Sequence, residues 1–256
     1  MRLLKQFLYG TFYLLIFGGL AWGLYSFEFK PAPSCSDNAQ NGSETGVDCG
    51  GSCVTCEMKE LRSLSVNSTI LFGDNRVFSV VIELRNPNDK YGARDFSYTV
   101  NFYDNAGVLL QSVKNNSFIY AGKVRNILEA GVRISNGIPV RAETVIDQAG
   151  IKWESDKDIF RPDFQLKDAS VNLDGEQAVG SGTITNPNSF AFSKVILSVF
   201  LVDDLGIKIN ASKTELADIG QFRVESFKIF IPGRKSSLKD IDLYATSQSI
   251  EVDVLK

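Results

Sequence analysis

Four cysteines are the residues best placed to do chemistry. Cys35, Cys49, Cys53 and Cys56 fall in the run C-SDNAQNGSETGVD-C-GGS-C-VT-C. Four thiolates can bind zinc, and the C-x2-C of Cys53 and Cys56 suits that. Two disulfides can instead staple a segment too small to have a core. A redox-active C-x-x-C is a third use of the same pair. Between the cysteines, Asp37, Glu44 and Asp48 supply hard oxygen atoms that suit calcium. Their plainer role is as solvated acids of a polar turn. No histidine occurs among the 256 residues. That excludes imidazole-based nucleophile pairs and histidine-ligated zinc or haem.

No S-x-x-K, no G-x-S-x-G elbow, no phosphate-binding loop and no dinucleotide fingerprint is present. Asp203 and Asp204 are adjacent, and neighbours at a strand end face opposite ways, so they do not make a paired-carboxylate site. No cofactor and no small-molecule substrate is expected. The net charge of −3 argues against a nucleic-acid partner. Arg234, Lys235 and Lys239 read as a solvated loop. Asn41, Asn67, Asn115 and Asn210 match the glycosylation acceptor pattern, which matters only where the source glycosylates.

The elements that position the cysteines begin with a membrane segment. Residues 7–27 contain no charge, and at 1.5 Å per residue they span about 30 Å, a bilayer's hydrocarbon core. Aromatics sit toward both ends, and Arg2 and Lys5 precede the run. This predicts an uncleaved anchor with residues 1–6 in the cytoplasm and everything after it outside. A cleaved signal peptide has a shorter apolar region and a small-residue cleavage site, which this run lacks. On that side of the membrane thiols oxidise, so two disulfides are expected in a neck over residues 28–57. Three pairings are open. Gly19 and Gly23 form G-x-x-x-G, either a helix contact or ordinary membrane-helix glycine.

The remainder repeats itself at a period near 100. Asn86-Pro87-Asn88 recurs as Asn186-Pro187-Asn188. Asp104-Asn105-Ala106-Gly107 recurs as Asp203-Asp204-Leu205-Gly206. Before the first Asn-Pro-Asn, Phe78, Val80, Ile82 and Leu84 share one face, with Val81 on the other among polar residues. The second copy places Ala178, Gly180, Gly182 and Ile184 there. After the turn, Phe96, Tyr98, Val100 and Phe102 alternate, as do Val195, Leu197, Val199 and Leu201. Such alternation predicts strands with one buried face. Further strands are expected near 132–134, 140–146, 151–153, 222–231 and 241–246. Proline ends a strand, and the glycine of D-x-x-G closes a hairpin. Asp104 and Asp203 are expected to bond to their own turn amides. The expected fold is all-β: two tandem immunoglobulin-like antiparallel sandwiches, residues 58–153 and 165–256. A linker at 154–164 would hold them as a semi-rigid rod.

Three resemblances accompany these motifs. The cysteine segment resembles a short module of bacterial surface proteins, through Asn41-Gly42, Glu44-Thr45, Val47-Asp48-Cys49-Gly50-Gly51, Cys53 and Cys56. Phe102-Tyr103-Asp104-Asn105-Ala106-Gly107 resembles the FxLYD family of surface proteins, and residues 201–206 follow the same pattern less fully. The Asn-Pro-Asn is similar to that of the LEA-2 (WHy) family of sandwiches. These resemblances imply an immunoglobulin-like fold on an extracytoplasmic protein and bring no catalytic residue with them.

The function expected is a non-catalytic interaction or structural role at the cell surface, with an unidentified protein partner and one membrane helix. The alternative is a bitopic accessory subunit of an envelope secretion, pilus or transport complex, contacting through Gly19 and Gly23. An enzyme would need chemistry without imidazole. A ligand- or lipid-binding sandwich would need a pocket lined by Phe78, Tyr98 or Phe102, which are more simply core.

Overall fold

The computed structural model describes residues 2–26, 34–74, 76–174, 177–202, 208–231 and 247–254. Phe27, Asp203, Asp204, Leu205, Gly206, the expected strand at 241–246, and Arg234, Lys235 and Lys239 lie outside them. By its internal contacts the chain forms two units, Met1–Leu61 and Arg62–Lys256.

In the first unit, helix α1 runs from Arg2 to Leu24 and none of it is buried. It is long and apolar enough to cross a membrane. It begins earlier than the uncharged run, because Arg2, Leu3, Leu4, Lys5 and Gln6 are all good helix formers. The neck that follows is mostly turns. It ends in one short helix, α2 (Cys56–Lys59), capped by Thr55, whose side chain accepts from Met58 N–H.

The second unit is built of antiparallel strands. The first half contains β1 (Ser65–Asp74), β2 (Val77–Arg85), β3 (Tyr91–Tyr103), β4 (Leu109–Ile119), β5 (Val124–Arg133), β6 (Arg141–Ile146) and β7 (Lys152–Ser155). Their orders are β1-β2-β5 in one sheet and β4-β3-β6 in the other, with β7 also on β3. The second half contains β8 (Gln165–Asp174), β9 (Gln177–Thr185), β10 (Phe192–Val202), β11 (Lys208–Ile219), β12 (Val224–Ile231) and β13 (Ser247–Val254). Its orders are β8-β9-β12 and β11-β10-β13, the same connectivity strand for strand.

Each half closes its two sheets over one core. In the first, Phe78, Val80, Ile82 and Leu84 of β2 face Phe96, Tyr98, Val100 and Phe102 of β3. In the second, Ala178 and Ile184 of β9 face Val195, Leu197, Val199 and Leu201 of β10. The period-two faces are therefore buried as their patterns predict. Glycine at position 182 has a specific reason. The register of β8 slips between Lys167 and Ser170, and a Cβ on Gly182 would meet Ala169 Cα at 2.9 Å. The bulge and the glycine accommodate one another.

The two halves do not meet through a linker alone, as a rod would. Val81 and Leu128, on the outer face of β2 and β5, pack with Phe200 and Ala211 of β10 and β11, and Phe72 lies against them. Lys208 pairs with Glu83 at 2.7 Å across the junction. Lys213 Nζ donates to Leu128 O at 2.8 Å. Val81, apolar on a polar face, is buried here.

Candidate functional site

The neck brings all four cysteines into disulfides, Cys35–Cys53 and Cys49–Cys56. No thiolate is left for zinc while they are oxidised. Cys35, Glu44 and Cys53 place a sulfur, a carboxylate oxygen and a second sulfur within 4.8 Å of one another. Those two sulfurs are bonded together and carry no proton, so the 3.3 Å approach of Cys53 Sγ to Glu44 is a contact and not a thiol hydrogen bond.

The neck's acids act as fasteners. Glu44 accepts from the backbone N–H of Asn41 at 3.1 Å and of Asp48 at 3.2 Å. Asp48, itself buried, accepts from Asn38 N–H at 3.0 Å and pairs with Lys59 at 3.3 Å. Asp37 accepts from Ala39 N–H at 3.0 Å and Asn41 Nδ2 at 2.8 Å. The Asn41 bond, followed by that of Ala39, holds the Asp37 carboxyl below its ordinary 3.8. These bonds direct the three calcium candidates to their own loop. Asp37 also meets the Asp48 side chain, while among the described residues the group that meets within 4.8 Å is Cys35, Glu44 and Cys53. The Gly50-Gly51 pair is required sterically. Both have positive φ, and a Cβ on Gly51 would meet Ser43 O at 2.0 Å.

The Asn-Pro-Asn turns are buried polar staples. Asn86 Nδ2 donates to Tyr91 O at 2.7 Å and to Tyr120 O at 3.1 Å. Its Oδ1 accepts from Asn88 N–H and from Asn88 Nδ2, each at 3.0 Å. Asn186 repeats this: Nδ2 donates to Phe190 O and Gly220 O, and Oδ1 accepts from Asn188 N–H. Pro87 and Pro187 sit between the two asparagines. The asparagine thus ties the end of β2 or β9 to the approach of the following strand and to the turn that crosses between sheets, from β4 to β5 or from β11 to β12. Asp104 Oδ1 accepts from Ala106 N–H at 2.9 Å and Val108 N–H at 2.8 Å, and Gly107 has φ 79°. That is the expected self-bonded turn. Gly19 and Gly23 lie on α1 with nothing within 4 Å of their missing side chains.

Three further arrangements are set by contacts between residues far apart in the sequence. Asn88 grips both backbone groups of Arg62, at 2.9 and 2.8 Å. Gln148 does the same to Leu64, at 3.1 and 2.8 Å. These side-chain amides satisfy the backbone just before β1. Asn88 lies in the Asn-Pro-Asn motif, which does not announce Arg62 as its partner, and Gln148 has no sequence signal beyond being an amide. Tyr98 donates to Glu129 across the two sheets, and Asn115 Nδ2 donates to the same carboxylate at 2.9 Å. Burial, then the Glu129 bond, pushes the Tyr98 phenol well above its ordinary 10.0. Finally, a cleft of about 240 Å³ opens beside β7, lined by Phe118, Tyr120, Glu154, Asp158 and Phe160 among others. It is smaller than the roughly 300–1,000 Å³ of small-molecule sites. Phe78, Tyr98 and Phe102 are core residues and line no part of it.

No family model matches the sequence, and no curated protein matches it. Among solved structures, the chain is similar to a transglutaminase of red sea bream, with a TM-score of 0.24 and 14% identity. The match covers 69% of this chain and 28% of that one, so the chain spans under a third of that protein.

Proposed function

We propose that the chain is a single-pass, membrane-anchored extracytoplasmic protein with a non-catalytic interaction or structural role at the cell surface. Residues 1–6 are cytoplasmic. α1 is the anchor, the neck is a disulfide-stapled spacer, and the two sheet pairs are tandem immunoglobulin-like sandwiches of the FxLYD or LEA-2 (WHy) kind. They present their ends and edges to a protein partner.

One observation carries this reading. All four cysteines of a segment with no core are paired as disulfides directly after a helix long and apolar enough to cross a membrane. Disulfides of this kind persist in oxidising compartments. The shared strand order of the two halves supports a repeat, and Asn86, Asn186 and Asp104 each hold a turn.

The test is maleimide labelling of intact cells with an impermeant reagent, together with protease shaving from outside. The expected result is labelling only after reduction, and loss of everything beyond the anchor to protease. Thiols that react without reductant, or a chain protected from protease until lysis, would refute the topology. The G-x-x-x-G spacing of Gly19 and Gly23 supports the accessory-subunit reading, which Gly19→Leu and Gly23→Leu test through co-purification in mild detergent.

A further inference from the structure

The turn between β11 and β12 carries a side chain that its backbone does not favour. In Gly220–Arg223, Arg223 N–H donates to Gly220 O at 3.3 Å, and the third residue, Phe222, has φ 54°. The matching turn of the first half is Tyr120–Lys123, where Lys123 N–H donates to Tyr120 O at 3.4 Å. Its third residue is Gly122, with φ 64°. The two turns are held alike, since Asn86 donates to Tyr120 O and Asn186 to Gly220 O. Positive φ at the third place of a tight turn is glycine's role, and a bulky residue there is strained. Burial does not compensate for the strain. The Phe222 ring is 65% exposed, Val224 is 58% exposed, and Arg223 between them is exposed as well. An aromatic that strains its turn and buries little of itself within the chain is suited to a contact outside it.

We propose that the Phe222–Val224 turn is a lipid-contacting tip that seats in the headgroup region of a phospholipid bilayer. This inference rests on the membrane-anchored reading above. The turn crosses from one sheet to the other, and a single exposed turn suits a deformable medium better than a folded partner, whose contact residues sit in a packed patch ringed by others. Exposed Phe and Val bury at the boundary between headgroups and acyl chains, and a guanidinium matches phosphate oxygens two at a time. Glu225 follows and is exposed, which keeps the tip from being strongly cationic. Zwitterionic phosphate is therefore the expected surface. Helix α1, long and apolar enough to cross a membrane, keeps a bilayer within the chain's reach.

The test uses the full chain in phosphatidylcholine vesicles, with and without bromine on the lipid chains. Phe222→Trp introduces an indole at the tip, and the parent chain supplies the background from Trp22 and Trp153. The expected result is that brominated lipid at least halves the emission added by the new indole. Emission unchanged from that in plain lipid overturns the proposal. So does concentration-dependent self-association abolished by Phe222→Gly, which would place the ring between copies of the chain. The second variant reads the strain. Phe222→Gly is expected to raise the thermal midpoint by about 4 °C, and a lowered midpoint would make the ring structural and overturn the proposal. Carbonate washing separates the two readings. A chain that washes off the vesicles refutes the anchor, whereas one that stays without quenching refutes only the tip.

Discussion

Replacing Asn86 with alanine tests whether the Asn-Pro-Asn turn is a staple or merely a bend. Asn86 is 1% exposed and makes four hydrogen bonds through its side chain. Two satisfy the carbonyls of Tyr91 and Tyr120, and two satisfy the backbone and side-chain nitrogens of Asn88. A neutral hydrogen bond contributes about 1 kcal/mol net, and a buried partner left unpaired costs about 1–3 kcal/mol. Asn88 keeps its grip on Arg62, which limits the damage. The expected loss is about 3–4 kcal/mol, a large share of the roughly 5–15 kcal/mol that holds a domain together. Asn86→Asp is expected to be worse at neutral pH. It keeps the acceptor but sets a carboxylate against two carbonyl oxygens, and protonation should recover part of the loss. The assay is urea unfolding of the full chain in mild detergent with its disulfides intact, followed by fluorescence. Trp153 packs against the first core, so its signal reports that half. A loss under about 1 kcal/mol would show that water replaces these bonds freely and would refute the argument from burial.

Other outcomes follow from the same geometry. Gly51→Ala drives a methyl group into Ser43 O, and disulfide mapping should find pairs other than Cys35–Cys53 and Cys49–Cys56; native pairing in full would refute the steric reading. The hydrogen bond from Lys208 holds the Glu83 carboxyl below its ordinary 4.5, so the stabilisation is present above 4.5 and lost as pH falls through the lowered folded value. Acid titration of the urea midpoint should show this loss, and Lys208→Met should flatten it. Tyr98 has the opposite sense: its phenol is pushed up by burial, so stability is complete below 10.0 and lost as pH rises beyond it. Tyr98→Phe should remove that alkaline loss while lowering stability at neutral pH, because Glu129 loses a donor.

What was legible in the sequence was whatever repeats at short range. Period-two alternation marked β2, β3 and β10, because a strand with one wet face writes its burial into every second residue. The turn asparagines and the D-x-x-G were legible because proline and glycine restrict the backbone locally. β4 was not, since its exposed Lys114-Asn115-Asn116 run separates Leu110 and Val113, which touch the core, from Ile119 within it. The disulfide pairing was not legible either, as spacing alone allows three arrangements. It is the glycine turn and the reach of Glu44 and Asp48 that bring Cys49 round to Cys56. Gln148 clasps Leu64 from 84 residues away, a distance over which no local pattern operates. Val81 and Phe222 are different. Val81 was visible as an apolar side chain on a polar face, whereas Phe222 is expected at the start of a strand over 222–231 and lies instead in the turn before β12, where the first half has Gly122. Val81 is resolved by the second sheet pair packing over it. Phe222 has no such cover among the described residues, and the lipid contact proposed for it would supply one.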